Sequence, residues 1–329
     1  MHPGRSVVQS DPPEGSPDRR SHNTPTSENA QVEAEGSRGG RSRSLSSAVA
    51  PLGARMAVMT TTSRTGPDRH PVAERVLVLS PHLDDAAWSI GSLIADLVHD
   101  GTEVLVASLF TEVDERVSSV GADWLKRSRL ARNSAADTRR EEDGRALAVL
   151  GARPIHVRLL DAVSRCPEQY SSSSSLVGWT AAIDPQDPGL AQCDAAVERL
   201  VRELSPTTVL VPLGHGRHVD HQIVSRTVVA AGRVLFYADF PYTVMKPFVA
   251  GDRLAELRRR GSTSVWHVPS EQAVRRHLEA ALAYRSQVEA TFGSATQLET
   301  QLRRHLDRNG QAAICLVEST GADDLSSTS

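Results

Sequence analysis

The chain has 329 residues, of which 39% are hydrophobic, 23% charged and 4% aromatic, and its formal net charge is −3. This is a globular composition, and neither the charge nor the low aromatic content supports nucleic acid or an anionic membrane as a partner. The three cysteines lie far apart in the sequence. No apolar run approaches the roughly 18 residues that cross a bilayer. Together these features predict a reduced, cytoplasmic setting.

The N-terminal segment differs from the rest of the chain in composition. It is rich in Ser, Pro, Gly, Arg and Glu, and its few large apolar residues form no periodic run. Such a segment cannot bury enough surface to offset its ordering entropy. We therefore predict a disordered extension over 1–70, one domain over 71–320 and a flexible tail over 321–329. Met56 and Met59 are alternative start positions, in which case residues 1–55 are absent from the real protein.

From Arg75 onward, strand patterns alternate with helix patterns. Short apolar runs predict strands at 75–80, 102–110, 154–161, 207–213 and 233–241. Helical periodicity predicts helices at 87–99, 139–151, 190–204 and 220–232. The alternation implies an α/β fold with a parallel sheet covered on both faces. The last third is more helical, with helices expected at 269–289 and 294–308 and a late strand at 311–319. The serine run 171–175 predicts a flexible loop and a candidate lid.

Two polar clusters follow strands of this predicted sheet. The first is His82-Leu83-Asp84-Asp85, after the first strand, and the second is GHGRHVDHQIV at 214–224, after the fourth. Because ligands collect at the carboxyl ends of strands in open α/β sheets, we expect both clusters at one edge. A catalytic zinc typically keeps three protein ligands and a position for water. His82, Asp85 and one histidine of the second cluster meet that count, which leaves Asp84 as a candidate general base.

Each of these residues taken alone has a plainer explanation. An aspartate at 84 or 85 can cap the following helix, and Asp220 can cap the helix that starts near it. A single loop histidine is usually solvated, which is how we interpret His215. Two adjacent aspartates cannot both be caps, however, and burying a carboxylate without a partner is costly. The combined cluster therefore favours metal chemistry.

The two motifs resemble those of a known family. Pro81-His82-Leu83-Asp84-Asp85-Ala86 and His218-Val219-Asp220-His221 are similar to PHPDDE and HPDH of the PIG-L (LmbE-like) zinc-dependent N-deacetylases. RREEDGRALAVLGA (139–152), YADFPY (237–242) and HLEAALAYRSQ (277–287) resemble further segments of that family, so the likeness spans residues 74–318. It implies a Rossmann-like, mostly parallel sheet. Leu83 and Ala86 depart from the usual Pro and Glu, and 215–217 lacks a tyrosine that some members carry near the oxyanion.

The resemblance also implies roles for single residues. His82, Asp85 and His221 would be metal ligands, with Zn²⁺ expected and Fe²⁺ as an alternative in the cell. Asp84 would be the general base, and His218 would polarise the carbonyl or act as general acid, with Asp220 orienting its imidazole.

Four further residues are candidates for substrate binding. They are basic or acidic side chains predicted near the same rim of the sheet, namely Arg139, Asp161, Arg217 and Asp239. Arg139 has an equally plain alternative as a solvated residue at a helix N-terminus, paired with Asp143. Asp161 has one as the start of a turn.

The predicted function is therefore a hydrolase of linear amide C–N bonds. It would remove an acetyl or short acyl group from the amine of a small amino sugar. One alternative is a thiol-conjugate amidase of the same family, and another is a non-catalytic sugar- or nucleotide-binding α/β protein. A Rossmann oxidoreductase is disfavoured, because the first strand-to-helix turn carries PHLDDA in place of GxGxxG.

Overall fold

The structure, a computed structural model, describes residues 74–227, 229–249 and 251–319. The disordered extension and the C-terminal tail predicted from the sequence lie outside these residues. The strands are β1 (Arg75–Ser80), β2 (Glu103–Glu112), β3 (Arg153–Leu160), β4 (Thr208–Pro212), β5 (Arg233–Tyr237), β6 (Thr263–His267), β7 (Asp307–Arg308), β8 (Gln311–Ala312) and β9 (Ile314–Glu318). The helices are α1 (Asp85–His99), α2 (Ser119–Arg127), α3 (Arg132–Leu150), α4 (Ala162–Arg165), α5 (Ser173–Leu176), α6 (Gly189–Leu204), α7 (Val219–Arg226), α8 (Tyr242–Met245), α9 (Asp252–Arg259), α10 (Glu271–Ala283), α11 (Arg285–Phe292) and α12 (Ala295–Leu306).

Seven of these strands form one sheet in the order β3-β2-β1-β4-β5-β9-β6. The first five strands along this order pair in parallel, and β9 pairs antiparallel with both β5 and β6. The prediction of a mostly parallel α/β sheet is therefore confirmed. The chain runs outward from β1 to β3 and then returns to β4 on the other side of β1. The switch point thus lies between β1 and β4, where the diverging connections leave a crevice at the carboxyl ends.

The central strand is buried on both faces, so its apolar residues alternate between two cores. Val76 and Val78 pack with residues of α1, α3, α10 and α12, whereas Leu77 and Leu79 pack with residues of α6 and α7. This explains why β1 reads as a continuous apolar run: a strand covered on both faces has no polar side. None of the described helices has the length and apolarity that crossing a membrane requires.

Several boundaries differ from the sequence prediction. The helix expected over 139–151 begins at Arg132. Its first two turns are polar and carry no apolar stripe, so the sequence pattern does not reveal them. The helix expected over 220–232 ends at Arg226, where Thr227 takes an extended conformation with ψ 133°. The helix expected over 269–289 is broken at Tyr284, whose ψ is 60°. The serine run forms the short helix α5, which Ser172 caps.

Several elements escaped the sequence prediction, among them β6 and α2. Strand β6 lies at the edge of the sheet and is half exposed, so its sequence TSVWH shows no apolar run. Helix α2 buries only Gly121 and Leu125. Both elements depend on the neighbours they contact, since neither has a strong local pattern.

Candidate metal and active site

The loop after β1 folds its carboxylates away from helix capping. Asp84 occupies the N-cap position of α1 but makes no side-chain cap hydrogen bond. The hydroxyl of Ser80 accepts the backbone N–H of Ala86 at 3.0 Å, and Asp85 Oδ2 accepts the backbone N–H of His82 at 2.8 Å. The capping explanation considered for these aspartates is therefore wrong. The Asp84 carboxylate is therefore not used for helix capping.

The loop after β4 turns tightly before it enters α7. Gly214 and Gly216 both have φ of 75°, a conformation that favours glycine. His218 is the N-cap of α7, and its Nδ1 accepts the backbone N–H of Asp220 at 3.2 Å. His218 therefore caps the helix that Asp220 was considered to cap. In the neutral ring the proton lies on Nε2, which has no hydrogen-bond partner among the residues the structure describes.

The two loops meet at the carboxylate of Asp85. Its Oδ2 lies 3.1 Å from His82 Nδ1 and 3.1 Å from His221 Nε2. The His221 contact is an ion pair without the geometry of a hydrogen bond, and this buried Nε2 has no hydrogen-bond partner in the described part of the chain. Ligand atoms around a tetrahedral zinc lie roughly 3.3 Å apart, given metal–ligand distances of 2.0–2.1 Å. The unsatisfied nitrogen and the converging atoms therefore fit a divalent cation held by His82, Asp85 and His221.

A buried carboxylate supports His221 from behind. His221 Nδ1 donates to Asp239 Oδ1 at 2.7 Å, and Asp239 Oδ2 accepts the backbone N–H of His215 at 3.0 Å. Asp239 is fully buried. A carboxylate in this position fixes the histidine tautomer that presents its other nitrogen to a metal. Both oxygens of Asp239 are thus occupied by protein donors.

A second trio, His82, His218 and Asp220, also lies within ligand distance of a common point. Asp220 is already saturated, however. Its Oδ2 lies 3.1 Å from His82 Nε2 and accepts the Ala162 N–H at 3.1 Å, while Arg165 donates to Oδ1 at 2.7 Å. We therefore favour the trio that contains His221. The Asp220 carboxylate pairs with His82, and the hydrogen bond between Asp220 and His218 runs from the Asp220 backbone amide to the His218 ring.

Arg165 is a site-supporting residue that sequence reasoning missed. Its guanidinium is buried against Asp220 and also forms two hydrogen bonds to Asp187, at 2.6 and 2.9 Å. It stacks over Phe110 at 4.6 Å, and it fills the space that a Cβ on Gly189 would occupy. No local pattern predicts this role, because an arginine at the end of a four-residue helix usually lies in solvent.

Arg139 joins the cluster from α3. Its Nη2 lies 3.5 Å from Asp84 Oδ1, and its guanidinium stacks over Trp124 at 4.9 Å. The residue is only 5% exposed, and its Nε has no partner in the described structure. The solvated alternative with Asp143 is therefore wrong: Asp143 instead accepts hydrogen bonds from Tyr284 and His156.

The other two substrate-binding candidates lie at different depths. Asp161 caps α4 through Oδ1, at 3.1 Å from the Val163 N–H, while its Oδ2 lies 3.6 Å from His82 Nε2. Arg217 forms an ion pair with Asp252 and donates to the Ala181 carbonyl at 3.4 Å. The structure therefore brings Asp161, but not the Arg217 guanidinium, into contact with the histidine cluster.

The charges of the cluster follow from burial and pairing. Burial opposes protonation of His221, but Asp85 and Asp239 raise its pKa to about 9. Burial likewise opposes protonation of His82, and hydrogen bonds to Asp220 and Asp85 still raise its pKa well above its usual value. This negative potential attracts a cation as it attracts a proton. Burial raises the pKa of Asp84 to about 6, against the opposing charge of Arg139.

Fold and site together define a class of protein. It is an α/β protein whose switch point holds a buried His/Asp cluster that fits a divalent cation, with the Asp84 carboxylate and the Nε2 of His218 beside it. Residues 77–232 match the family described as "PIG-L: GlcNAc-PI de-N-acetylase".

Two curated relatives show what similar proteins do. Over 223 residues the chain is 28% identical to the 2'-N-acetylparomamine deacetylase of Streptomyces fradiae, covering 65% of this chain and 74% of that protein. Over 173 residues it is 30% identical to the 1D-myo-inositol 2-acetamido-2-deoxy-alpha-D-glucopyranoside deacetylase of Rhodococcus jostii (strain RHA1), covering 51% of this chain and 56% of that protein. Both relatives are deacetylases of N-acetylated amino sugars by name.

Solved structures share the fold. The A40926 pseudoaglycone deacetylase matches with a TM-score of 0.59 at 25% identity, over 74% of this chain and 96% of that chain. The zinc-inhibited form of teicoplanin deacetylase matches with a TM-score of 0.61 at 24% identity, over 74% of this chain and 97% of that chain. At 24% identity, the likeness to teicoplanin deacetylase concerns the fold alone.

Proposed function

We propose that this protein is a metal-dependent hydrolase that removes an acetyl or short acyl group from the amine of a small amino sugar. The observation that carries the proposal is the buried Nε2 of His221, which makes no hydrogen bond and faces Asp85 Oδ2 at 3.1 Å, beside the Asp84 carboxylate, which does not cap the helix. The names of the two curated relatives support the amide of an N-acetylated amino sugar as the bond that is cleaved.

His82, Asp85 and His221 would hold the metal, which we propose to be Zn²⁺, with Fe²⁺ as the alternative in the cell. Two imidazoles and one carboxylate form a donor set that both ions accept. A bound divalent cation supplies Lewis-acid chemistry that favours attack of water on an amide carbonyl.

Asp84 is the proposed general base. It takes a proton from the attacking water, and a pKa raised to about 6 by burial suits that exchange near neutral pH. The proton that Asp84 accepts is then available to the departing amine nitrogen. Arg139, 3.5 Å from Asp84 Oδ1, holds the carboxylate in position.

His218 is the proposed oxyanion donor. Because its Nδ1 accepts the Asp220 amide, its Nε2–H points away from the helix and is free to donate to the carbonyl oxygen. Burial lowers the pKa of His218 well below its usual value, with the charge of His82 adding to the effect. A neutral imidazole can still donate this hydrogen bond.

The remaining candidates divide between substrate contact and support. Arg139 and Asp161 face the cluster and stay proposed contacts for sugar hydroxyls. For Asp239 we propose a positioning role through His221, because both of its oxygens are already bonded within the protein. For Arg217 we propose anchoring of the loop through Asp252.

The function is tested by acetate release from N-acetylglucosaminyl substrates with zinc-loaded protein. Asp84→Ala should retain the metal and lower the turnover about 10²- to 10⁴-fold, the usual contribution of a general base. The matched control is Asp123→Ala, an exposed carboxylate on α2, which should keep wild-type turnover. Full activity in Asp84→Ala would exclude the base assignment.

Metal content and the product released separate the proposed deacetylase from the two alternative functions. A non-catalytic sugar- or nucleotide-binding protein predicts no stoichiometric metal in the purified protein. A thiol-conjugate amidase predicts metal but cleavage of an amide on a glucosamine-linked thiol in place of acetate release. The cytoplasmic setting stays a prediction; Cys166, Cys193 and Cys315 are free thiols in the structure.

A further inference from the structure

A pocket of about 620 Å³ lies between two surface loops, the one after α5 and the one after α8, and is lined by residues of 173–180 and 245–249. Its apolar walls include Val177 and Trp179 from the first loop and Met245 and Phe248 from the second. None of these residues has a part in the hydrolysis described above. The size of the pocket is that of a site for a small organic group.

Both loops are tied to the residue that leads into the proposed oxyanion donor. The Gly178 N–H donates to the Gly216 carbonyl at 2.8 Å, and the Gly216 N–H donates to the Val249 carbonyl at 2.9 Å. Gly216 precedes His218 by two positions, and the ring of Tyr242 fills the space that a Cβ at 216 would need. Tyr242 in turn packs against His221, with ring centroids 5.3 Å apart. The pocket is therefore built onto the rim of the proposed active site.

The walls of this pocket are unusually apolar for a surface. Trp179 is 67% exposed and Phe248 is 85% exposed. Among the described residues, the exposed large hydrophobic side chains number five, and three of them, Trp179, Met245 and Phe248, line this one pocket. Scattered apolar residues on a surface are ordinary, but a cluster in a concavity marks a binding site. Two aromatic rings in one pocket suit a flat or extended apolar group.

One cation accompanies these apolar walls. Lys246 lines the pocket, and its Nζ would lie 3.6 Å from a Cβ built on Gly178. Lys246 makes no ion pair with any residue in the described ranges. An unpaired ammonium at the pocket disfavours a polycationic occupant and accepts a neutral or anionic one.

We propose that this pocket is the subsite for the aglycone of the amino-sugar substrate, and that it takes an aromatic or alkyl aglycone that is neutral or anionic. The inference rests on the proposed function, because it places the sugar amide at the His82–Asp85–His221 cluster and the aglycone beside it. It goes further in selecting substrates by an apolar group that lies away from the bond that is cleaved.

The first test compares two substrates that differ only in the aglycone, 2-naphthyl and methyl N-acetylglucosaminide. Wild-type protein should show a kcat/KM at least about 10-fold higher for the naphthyl compound, since burying an aromatic ring contributes about one to two orders of magnitude in affinity. Trp179→Ala and Phe248→Ala should each raise KM for the naphthyl compound about 10-fold without changing kcat. The methyl compound should be unaffected by either change.

The control variant is Leu282→Ala, an exposed apolar residue on α10 outside the pocket, which should alter neither substrate. Lys246→Ala should weaken turnover of a carboxyphenyl N-acetylglucosaminide more than that of the naphthyl compound. Equal kcat/KM for naphthyl and methyl substrates, unchanged in Trp179→Ala and Phe248→Ala, would overturn the subsite and leave the hydrolase assignment standing.

A direct binding measurement tests the pocket even if the protein releases no acetate. Calorimetric titration of 2-naphthyl glucosaminide, the deacetylated product, should give binding to wild-type protein and its loss in the Trp179→Ala/Phe248→Ala double variant. Circular dichroism would check that the double variant is folded. Such binding without any acetate release would support the subsite and refute the hydrolase assignment. Undiminished binding in the folded double variant would refute the subsite.

Discussion

Two groups of buried or half-buried histidines show how a site differs from a core. In the helical layer, His277 donates to the Trp88 carbonyl at 2.9 Å, and His305 donates to the Ser89 carbonyl at 3.0 Å. In the strand-end cluster, His82 and His221 face carboxylates. Burial lowers the pKa of His277 to about 3 and that of His305 to about 4.

The strand-end histidines respond to burial in the opposite way. Their carboxylate partners outweigh burial and raise the pKa of His221 to about 9. The His277 ring nitrogens are both hydrogen-bonded, to the Trp88 carbonyl and the Ser92 hydroxyl, whereas His221 keeps a buried nitrogen without a hydrogen-bond partner in the described structure. Burial alone therefore does not mark a functional histidine. Carboxylate partners combined with an unsatisfied nitrogen do.

The largest expected difference is in metal affinity, when one histidine of each group is removed in turn. We expect His221→Ala to lose its metal, with an affinity drop beyond the roughly 100-fold that loss of a supporting residue causes. His277→Gln should bind metal as the wild type does, because its partners are a backbone carbonyl and a serine hydroxyl. Elemental analysis and competition with a chelator measure both. Equal metal content in the two variants would erase the distinction drawn between the groups.

A smaller effect is expected from the support behind His221. Asp239→Asn should weaken metal affinity about 10- to 100-fold, because the amide cannot hold the Nδ1–H tautomer as the carboxylate does. Asp96→Asn is the matched control. Asp96 also pairs with a histidine, His267 at 2.9 Å, but this pair joins α1 to β6. Chelator competition should show a shift only in Asp239→Asn. A similar shift in both variants would point to a general loss of stability.

The packing of the structural histidine can be tested by adding one methyl group. A Cβ on Gly91 would lie 2.6 Å from Cδ2 of the His277 ring, a buried side chain. Gly91→Ala should therefore destabilise the fold by about 2 kcal/mol through overpacking. In contrast, a Cβ on Gly144 in α3 meets nothing within 4 Å, and Gly144→Ala should stabilise by about 0.5–1 kcal/mol through helix propensity. Urea unfolding measures both, and an unaltered midpoint in Gly91→Ala would contradict the close approach.

The smallest expected effect is a pH dependence. The pKa of His277 falls from 6.5 to about 3 on folding, so the unfolded chain takes up a proton at mildly acidic pH while the folded chain does not. Stability should therefore fall as pH decreases below 6.5, by about 1 kcal/mol per unit from this group. His277→Gln should show a shallower fall between pH 6.5 and 5.5 in urea titrations. Parallel curves for the two proteins would show that His277 is not neutral in the fold.

Much of the fold can be predicted from local sequence patterns. The apolar run of β1 and the motif behind it were visible because a strand buried on both faces needs continuous apolar residues, and a polar cluster right after it stands out. The same reasoning located the loop after β4. Edge strand β6 and helix α2 were missed, because each is held by contacts with distant segments and neither has a strong periodicity of its own.

The sequence could name candidate residues of the site but not the atoms they use. Asp220 was expected to orient His218 with its carboxylate; that carboxylate instead contacts His82 at 3.1 Å and Arg165 at 2.7 Å. The sequence left two interpretations of Arg139 open, a substrate contact and a solvated residue at a helix N-terminus. Only its burial against Asp84 excludes the second. Arg165 was not named at all. Each of these outcomes depends on which side chains meet across the crevice, which no spacing along the chain records.

By itself, the sequence determined an α/β sheet and two polar motifs at strand ends, because strand period, helix period and turn residues are local properties of the chain. Only the tertiary structure decided which histidine nitrogen lacks a partner, which aspartates are saturated and which pocket adjoins the cluster. Those features arise where β1 and β4 lie side by side at the switch point. Hydrogen-bond saturation and burial are set by neighbours in space, so they exist only once the sheet has brought the two loops together.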